Sequence, residues 1–417
     1  MEFFERYKKI FAVLAFLAVV ILLGYLLYAT FFKTATEGPA ETPIQGTSTA
    51  GLPESEIGKG SVPGTNGQPG NIAGIPDKDT GKNQPETPST PIDDVAKGGI
   101  TKTEKLTDTP SFNILGNGNG VSYYNATDGK FYTIDANGNK TPMSDKVFYN
   151  VSNVSWSPTK NKAILEYPDK SKIIYDFAKD KQITLPKHWQ DFSFSPDGNN
   201  LVLKSIGNDP NNRWLVVADG NGGNVKALNQ LGDASTVYPG WSPNRQSVAT
   251  YTSGEGLDTQ KVYFVGLHGE NFKAATIDGR DFRPKWAPEG DRLLYSAYSA
   301  SSDLKPTLWV VDAQGDSIGN NRKKLNIDTW ANKCTFTDRD TLYCAVPTKL
   351  EQGAGMFPQM AQNTPDTIYR INTSTGFKEQ IAIPEGDHTI GQITASEDGK
   401  ALFFNDNSGS IFKINLE

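Results

Sequence analysis

Phe192-Ser193-Phe194-Ser195-Pro196-Asp197-Gly198 reads as a short strand that ends on an aromatic residue and runs into a tight turn. The Phe/Ser alternation suits a strand with one buried face, Pro196 presets the turn backbone, and Gly198 supplies a positive φ. The same pattern stands at 154–158, 240–243 and 285–290, and in weaker form at 335–338 and 395–399. Successive copies lie about 38 to 59 residues apart, the interval at which a four-stranded unit recurs. One such sheet cannot cover both of its own faces, so the units must stack on one another. The pattern predicts an all-β chain forming a seven-bladed β-propeller over residues 100–417.

Blade two shows the unit most plainly, with strands at 154–156, 163–167, 173–177 and 182–185 joined by hairpin turns such as Pro168-Asp169-Lys170. Blades three to six follow at about 191–228, 238–275, 283–325 and 332–381, and blade one precedes them with Gly116-Asn117-Gly118-Asn119-Gly120 as its first turn. The seventh blade has only three strands, 392–395, 401–405 and 410–416. Residues 100–106 read like an outer strand and are expected to supply the fourth, closing the ring and removing an open edge.

These Ser-Pro-Asp-Gly turns make the chain resemble the TolB-type WD40-like (PD40) β-propeller repeat family over roughly 100–417. The resemblance implies a propeller and little about activity, since such repeats occur in binding proteins and in the non-catalytic halves of peptidases. The chain departs from TolB in lacking a preceding α/β domain and in carrying an apolar amino-terminal segment.

That segment, Ile10 to Phe32, has no charged residue and is long enough to cross a bilayer as a helix. Arg6, Lys8 and Lys9 precede it and only Lys33 follows closely, which predicts a cytoplasmic stub at 1–9 and a head outside the cytoplasm. A cleaved signal peptide is the competing reading, although the apolar run is longer than such cores. A lipoprotein anchor is excluded because the first Cys is Cys334. Residues 33–99 lack any aromatic residue beyond the segment's edge and are rich in Gly, Pro, Thr and Ser, which predicts a disordered linker. The net charge of −6 provides no basic field for nucleic acid.

Cys334 and Cys344 fall on the first two strands of blade six, and pairing across Asp338-Arg339-Asp340 sets them opposite each other, so a disulfide is expected. No metal shell follows from two cysteines without a nearby His, and no cofactor motif is present. No Gly-x-Ser-x-Gly elbow occurs in the head, and His188, His268 and His388 read as exposed loop histidines in three different blades, so no catalytic residue is assigned. The Asp-Gly and Asn-Gly clusters at 135–139 and 219–224 read as hairpin turns rather than calcium loops.

Two sets of residues are candidates for ligand binding. Asn153, Asp191, Tyr238, Arg283, Lys333 and Gln392 stand three places before each anchor and are expected to ring the mouth of the central channel. Long second-to-third strand connections at 205–213, 252–260, 297–306 and 347–366 project from the same face, where recognition concentrates. The last adds Met356, Phe357 and Met360, which either offer a recognition surface or fold back onto the blade. The opposite face, built of short turns, is expected to offer little area. The functional expectation is a membrane-anchored, extracytoplasmic, non-catalytic binding or scaffold module that takes an envelope protein, peptide or glycan. The alternative is an envelope hydrolase or lyase acting on glycan or peptide at the channel mouth.

Overall fold

In the turn after Phe194, the Ser195 hydroxyl donates to Asp197 Oδ1 at 2.6 Å and accepts the Asn200 amide at 2.9 Å, while Gly198 adopts φ 67°. Blade seven repeats this with Ser396, Asp398 and Gly399, and blade four with Ser242 and Asn244, where Arg245 occupies the left-handed position. The hydroxyl and the carboxylate or amide satisfy turn backbone groups that would otherwise compete for strand partners.

The computed structural model describes residues 16–26, 91–111, 113–256 and 258–417. Six four-stranded sheets and one five-stranded sheet make seven blades. Their innermost strands are Leu115–Asn117, Asn153–Trp156, Trp189–Phe194, Val237–Pro239, Arg280–Trp286, Cys334–Phe336 and Ile390–Ala395. Each seam between neighbouring blades has its own apolar cluster, seven in all. The anchor residue packs in the seam toward the preceding blade: Trp156 against Phe131 of blade one, and Trp286 against Phe264 of blade four. The anchors are thus knobs between sheets, and the stack is held by burial around the ring.

The Gly116–Gly120 cluster differs from its expected role as a turn. Gly116 and Asn117 belong to the inner strand, and only Gly118 and Asn119 turn, with Asn117 opposite Gly120. A Cβ on Gly120 would lie 2.0 Å from the Ile134 carbonyl oxygen, so only glycine lets the second and third strands approach here.

The expected closing strand 100–106 is split. Glu104–Lys105 pairs antiparallel with Phe412 and Lys413 as the fourth strand of blade seven, whereas Ile100–Thr101 pairs parallel with Ile383 and Pro384 of blade six. The order extends further back than residue 100. The Ala96 amide donates to Asn415 of blade seven, the Gly98 amide donates to Ile381 of blade six, and Ala96 is buried in the cluster between them. Residues 93–105 therefore form a strap across the outside of the seam between blades six and seven.

The chain divides into two units, Met1–Lys82 and Asn83–Glu417. In the first, residues 16–26 are helical with exposed apolar side chains. A helix of this length spans about 16 Å, roughly half of a hydrocarbon core, and no helix among the described residues is long and apolar enough to cross a membrane. The remainder of the expected 10–32 span, the stub 1–9 and linker residues 33–90 lie outside the described residues.

Candidate functional site

The face bearing the second-to-third strand loops is dominated by blade six. Its connection from Pro347 to Asp366 is pinned on both sides: the Gly353 and Gly355 amides donate to Asp303 and Leu304 of the blade-five loop, and Asn407 and Thr389 of blade seven donate to the Gln362 and Thr364 carbonyls. A Cβ on Gly355 would meet Tyr298 at 2.5 Å, so the two loops lock together only through glycine. From this platform Met356, Phe357 and Met360 project 46%, 50% and 47% exposed, around a short 3-10 turn at Pro358–Ala361. They do not fold back into the blade.

Blades three and five also carry ordered connections with a short 3-10 turn, at Pro210–Asn212 and Ala300–Ser302. Blade four does not have the long loop read between 252 and 260. Its second and third strands run on as Ala249–Gly254 and Thr259–Val265, pairing as far as Gly254 with Gln260. Stacked Tyr251 and Tyr263, 4.7 Å between centroids, strengthen this ribbon.

The six expected mouth residues have different fates. Asn153 is exposed, donates to Glu166 Oε1 at 2.6 Å and accepts from Asn113. Asp191 is paired with Lys204 at 2.6 Å, and Arg283 with Asp281 at 2.8 Å. Tyr238 is half-buried, edge-on to Phe282, and its burial raises its pKa. Gln392 donates to the Ile114 carbonyl at 2.8 Å, joining blade seven to blade one.

Lys333 does not ring the mouth. It is 6% exposed, and its ammonium holds both oxygens of buried Asp366 at 2.6 and 2.8 Å. Burial pulls the lysine pKa down and pushes the aspartate up, and their mutual attraction opposes both shifts. His388 likewise is no exposed loop histidine. It is buried against Phe404 and Phe412, with Nδ1 on Asp406 at 2.9 Å and Nε2 on the Glu385 carbonyl at 3.0 Å. With both ring nitrogens engaged, it has none to offer a substrate. His188 and His268 are exposed, as expected.

The channel itself is a cavity of about 500 Å³ lined from five blades, by residues that include Asn113, Trp156, Lys285, Asn332 and Gln392. Lys285 is the one charged residue of this lining, and its ammonium donates to the Cys334 carbonyl. Desolvation by the channel wall pushes its pKa down to about 8. Sequence reading missed it, although a signal was present. The residue before the anchor is Ser155, Ser193, Gly240, Thr335 or Thr394 in the other blades, and a lysine only in blade five.

Cys334 and Cys344 stand directly opposite in the hairpin and are disulfide-bonded. The turns at 135–139 and 219–224 spend their carboxylates on their own backbone: Asp135 accepts the amides of Asn137 and Asn139, and Asp219 those of Asn221 and Gly223.

The opposite face is less bare than its short turns suggest. A cavity of about 760 Å³ opens there between blades six and seven, lined by residues that include Phe336, Tyr343, Ile371, Phe377 and Ala395.

No family model matches the chain, and no curated protein matches it. Among solved structures it is similar to an oligogalacturonate lyase in complex with manganese, at 14% identity over 76% of this chain and 93% of that one, with a TM-score of 0.51. It is also similar to the Cps50 (Swd1) β-propeller domain of Myceliophteria thermophila, at 11% identity over 76% of this chain and all (100%) of that one, with a TM-score of 0.50. At these identities the likeness shows the seven-bladed propeller fold and no activity.

Proposed function

We propose that this chain is a non-catalytic binding or scaffold module with TolB-like repeats, anchored in a membrane through residues 10–32, its propeller held outside the cytoplasm. Its ligand is a protein, peptide or glycan of the cell envelope, taken on the long-loop face. The observation that carries this reading is the trio Met356, Phe357 and Met360, half-exposed on a loop fixed by hydrogen bonds to blades five and seven. Exposed apolar side chains on a rigid platform favour association, because little order remains to be imposed on binding.

The test is affinity capture from envelope extract with the full chain, compared with Met356→Ser/Phe357→Ser. A defined ligand lost by that variant, at unchanged melting temperature, supports the reading. Equal capture by both rejects this face, and turnover of a glycan or peptide library would replace binding with catalysis. Reporter fusions after Lys33 and after Glu417 test the topology, which an active cytoplasmic reporter at either position overturns.

A further inference from the structure

In blades two to six the anchor position is Trp156, Phe194, Trp241, Trp286 and Phe336, and each packs in the seam toward the preceding blade. In blade seven the same position is Ala395, followed by the same Ser396–Gly399 turn. Replacing an aromatic ring by a methyl group removes a large share of the volume that fills the seam. The 760 Å³ cavity is at this place. It is lined by Ala395 and the turn after it on one side, and on the other by Tyr343, Arg370 and Phe377 of blade six. The blade-six side chains that face this seam are Tyr343, in its apolar core, and Arg370, directly opposite it in the ladder, whereas Ile371 and Phe336 turn the other way, into the core between blades five and six.

The cavity is open to solvent at a rim with its own chemistry. Phe377 stands there 65% exposed, an aromatic face without a partner ring among the described residues. Arg370 is held by Glu379 at 2.8 Å, and Glu397 by Lys160 of blade two at 2.5 Å. Asp338 and Asp398 bind only groups of their own turns and have no ion-pair partner among the described residues. The rim therefore carries two carboxylates outside any ion pair among the described residues, with Lys400 near Asp398, beside a socket that has Tyr343 and Phe377 on one side.

We propose that this seam is a docking socket for an aromatic side chain of a partner polypeptide, flanked in that partner by Lys or Arg. The incoming ring takes the place that the chain's own anchor fills in five other blades. Tyr343 and Phe377 supply ring contacts, and Asp338 and Asp398 attract the flanking cations. The socket lies on the face opposite the long loops, so it stands or falls independently of ligand binding there.

The experiment titrates the full chain in detergent micelles with the blocked peptides Lys-Trp-Lys, Lys-Leu-Lys and Glu-Trp-Glu, and repeats the titration with Ala395→Trp. Lys-Trp-Lys is expected to bind at least about ten-fold more tightly than either control, a difference of about 1.4 kcal/mol. Ala395→Trp, which fills the socket from within, is expected to remove that preference while melting no lower than the parent. Phe377→Ser, at the exposed rim, is expected to weaken Lys-Trp-Lys several-fold with the fold intact, and serves if the larger indole disturbs the seam. Equal binding of the Trp and Leu peptides overturns the proposal, as does unchanged Lys-Trp-Lys binding by a well-folded Ala395→Trp or Phe377→Ser.

Discussion

Between blades one and two, Trp156 stands edge-on to Phe131 at 5.5 Å and stacks on Phe177, with Phe148 and Tyr175 completing a cluster of rings. Between blades six and seven the equivalent position is Ala395. That joint has instead the strap 93–105 outside, the Lys333–Asp366 pair toward the loop face, and a core in which Ile368, Ile393 and Leu402 pack with Tyr343, Phe404 and Phe412. Asp366 also accepts the Ile390 amide of blade seven at 2.6 Å, so the ion pair reaches across the seam. Both joints have an apolar core, and what differs is the addition, an aromatic knob in one and directional polar contacts in the other, which respond differently to substitution. Burial degrades with lost volume, whereas a buried polar clamp fails when one partner is left alone.

The sharpest way to break the comparison is to remove one member from each seam. Asp366→Ala strands the Lys333 ammonium in an apolar site and is expected to cost about 3–5 kcal/mol in chemical denaturation. The double substitution Lys333→Met/Asp366→Leu is expected to recover most of that loss. Trp156→Ala, which leaves a cavity, is expected to cost about 3–5 kcal/mol as well, but no second-site change of charge should restore it. If the double variant at the closing seam is as unstable as Asp366→Ala, the clamp reading fails.

The disulfide tests whether blade six needs reinforcement beside that seam. Reduction or Cys334→Ala/Cys344→Ala is expected to lower stability by about 2–3 kcal/mol for so short a loop, without unfolding the other blades. Mass spectrometry of the untreated protein should find no free thiol, and alkylation of both cysteines before reduction would refute the bond.

Lys285 extends the comparison to the channel wall between blades five and six. Its folded pKa, about 8, lies below the ordinary lysine value, so between about pH 8 and 10.5 the unfolded chain binds more protons than the folded one. Stability is therefore expected to rise as pH climbs through that window and to carry the full burial penalty below it. Lys285→Met should abolish this slope and raise stability at pH 7 by about 1–3 kcal/mol. A slope unchanged in the variant would remove Lys285 as its source.

The smallest effect is expected where the closing seam is made to imitate the others. Ala395→Phe fills space between Tyr343 and the blade-seven turn and is expected to gain about 0.5–2 kcal/mol. A loss of stability would mean that the cavity's walls do not match a ring.

The repeat was legible because its turn chemistry is local. Ser195, Asp197 and Gly198 satisfy one another within four residues, and the spacing of such turns counts blades without knowledge of their packing. The cysteine pairing was legible for the same reason, being set by one short hairpin. The mouth was less so, because a count of three places back from the anchor takes no account of irregularities in the strand. Register shifts interrupt the inner strands at Gln190/Ser193, Arg280/Arg283 and Ile390/Gln392, and Asp191 and Asp281 take left-handed backbone within them. A bulge changes which side chain faces inward. Lys333 escaped the rule differently: it ends a 3-10 turn, Ala331–Lys333, and its partner Asp366 is 33 residues away. The seam socket left its trace as Ala395, a weak copy of the motif whose meaning depends on neighbours in another blade.

The strap has a mechanical consequence. Any pull that reaches the propeller from its amino-terminal side enters at residues 91–101, and so is applied to the ring at its closing seam. The first bonds to be loaded are few: the Ala96 and Gly98 amides and the two-residue ladders at Ile100–Thr101 and Glu104–Lys105. Peeling them takes an outer strand from blade six and from blade seven at once, leaving each with a bare edge, while blades two to five still share their aromatic knobs. Tension would thus act first at one predetermined place, stripping the outer edge of the closing seam before its core and its ion pair are reached.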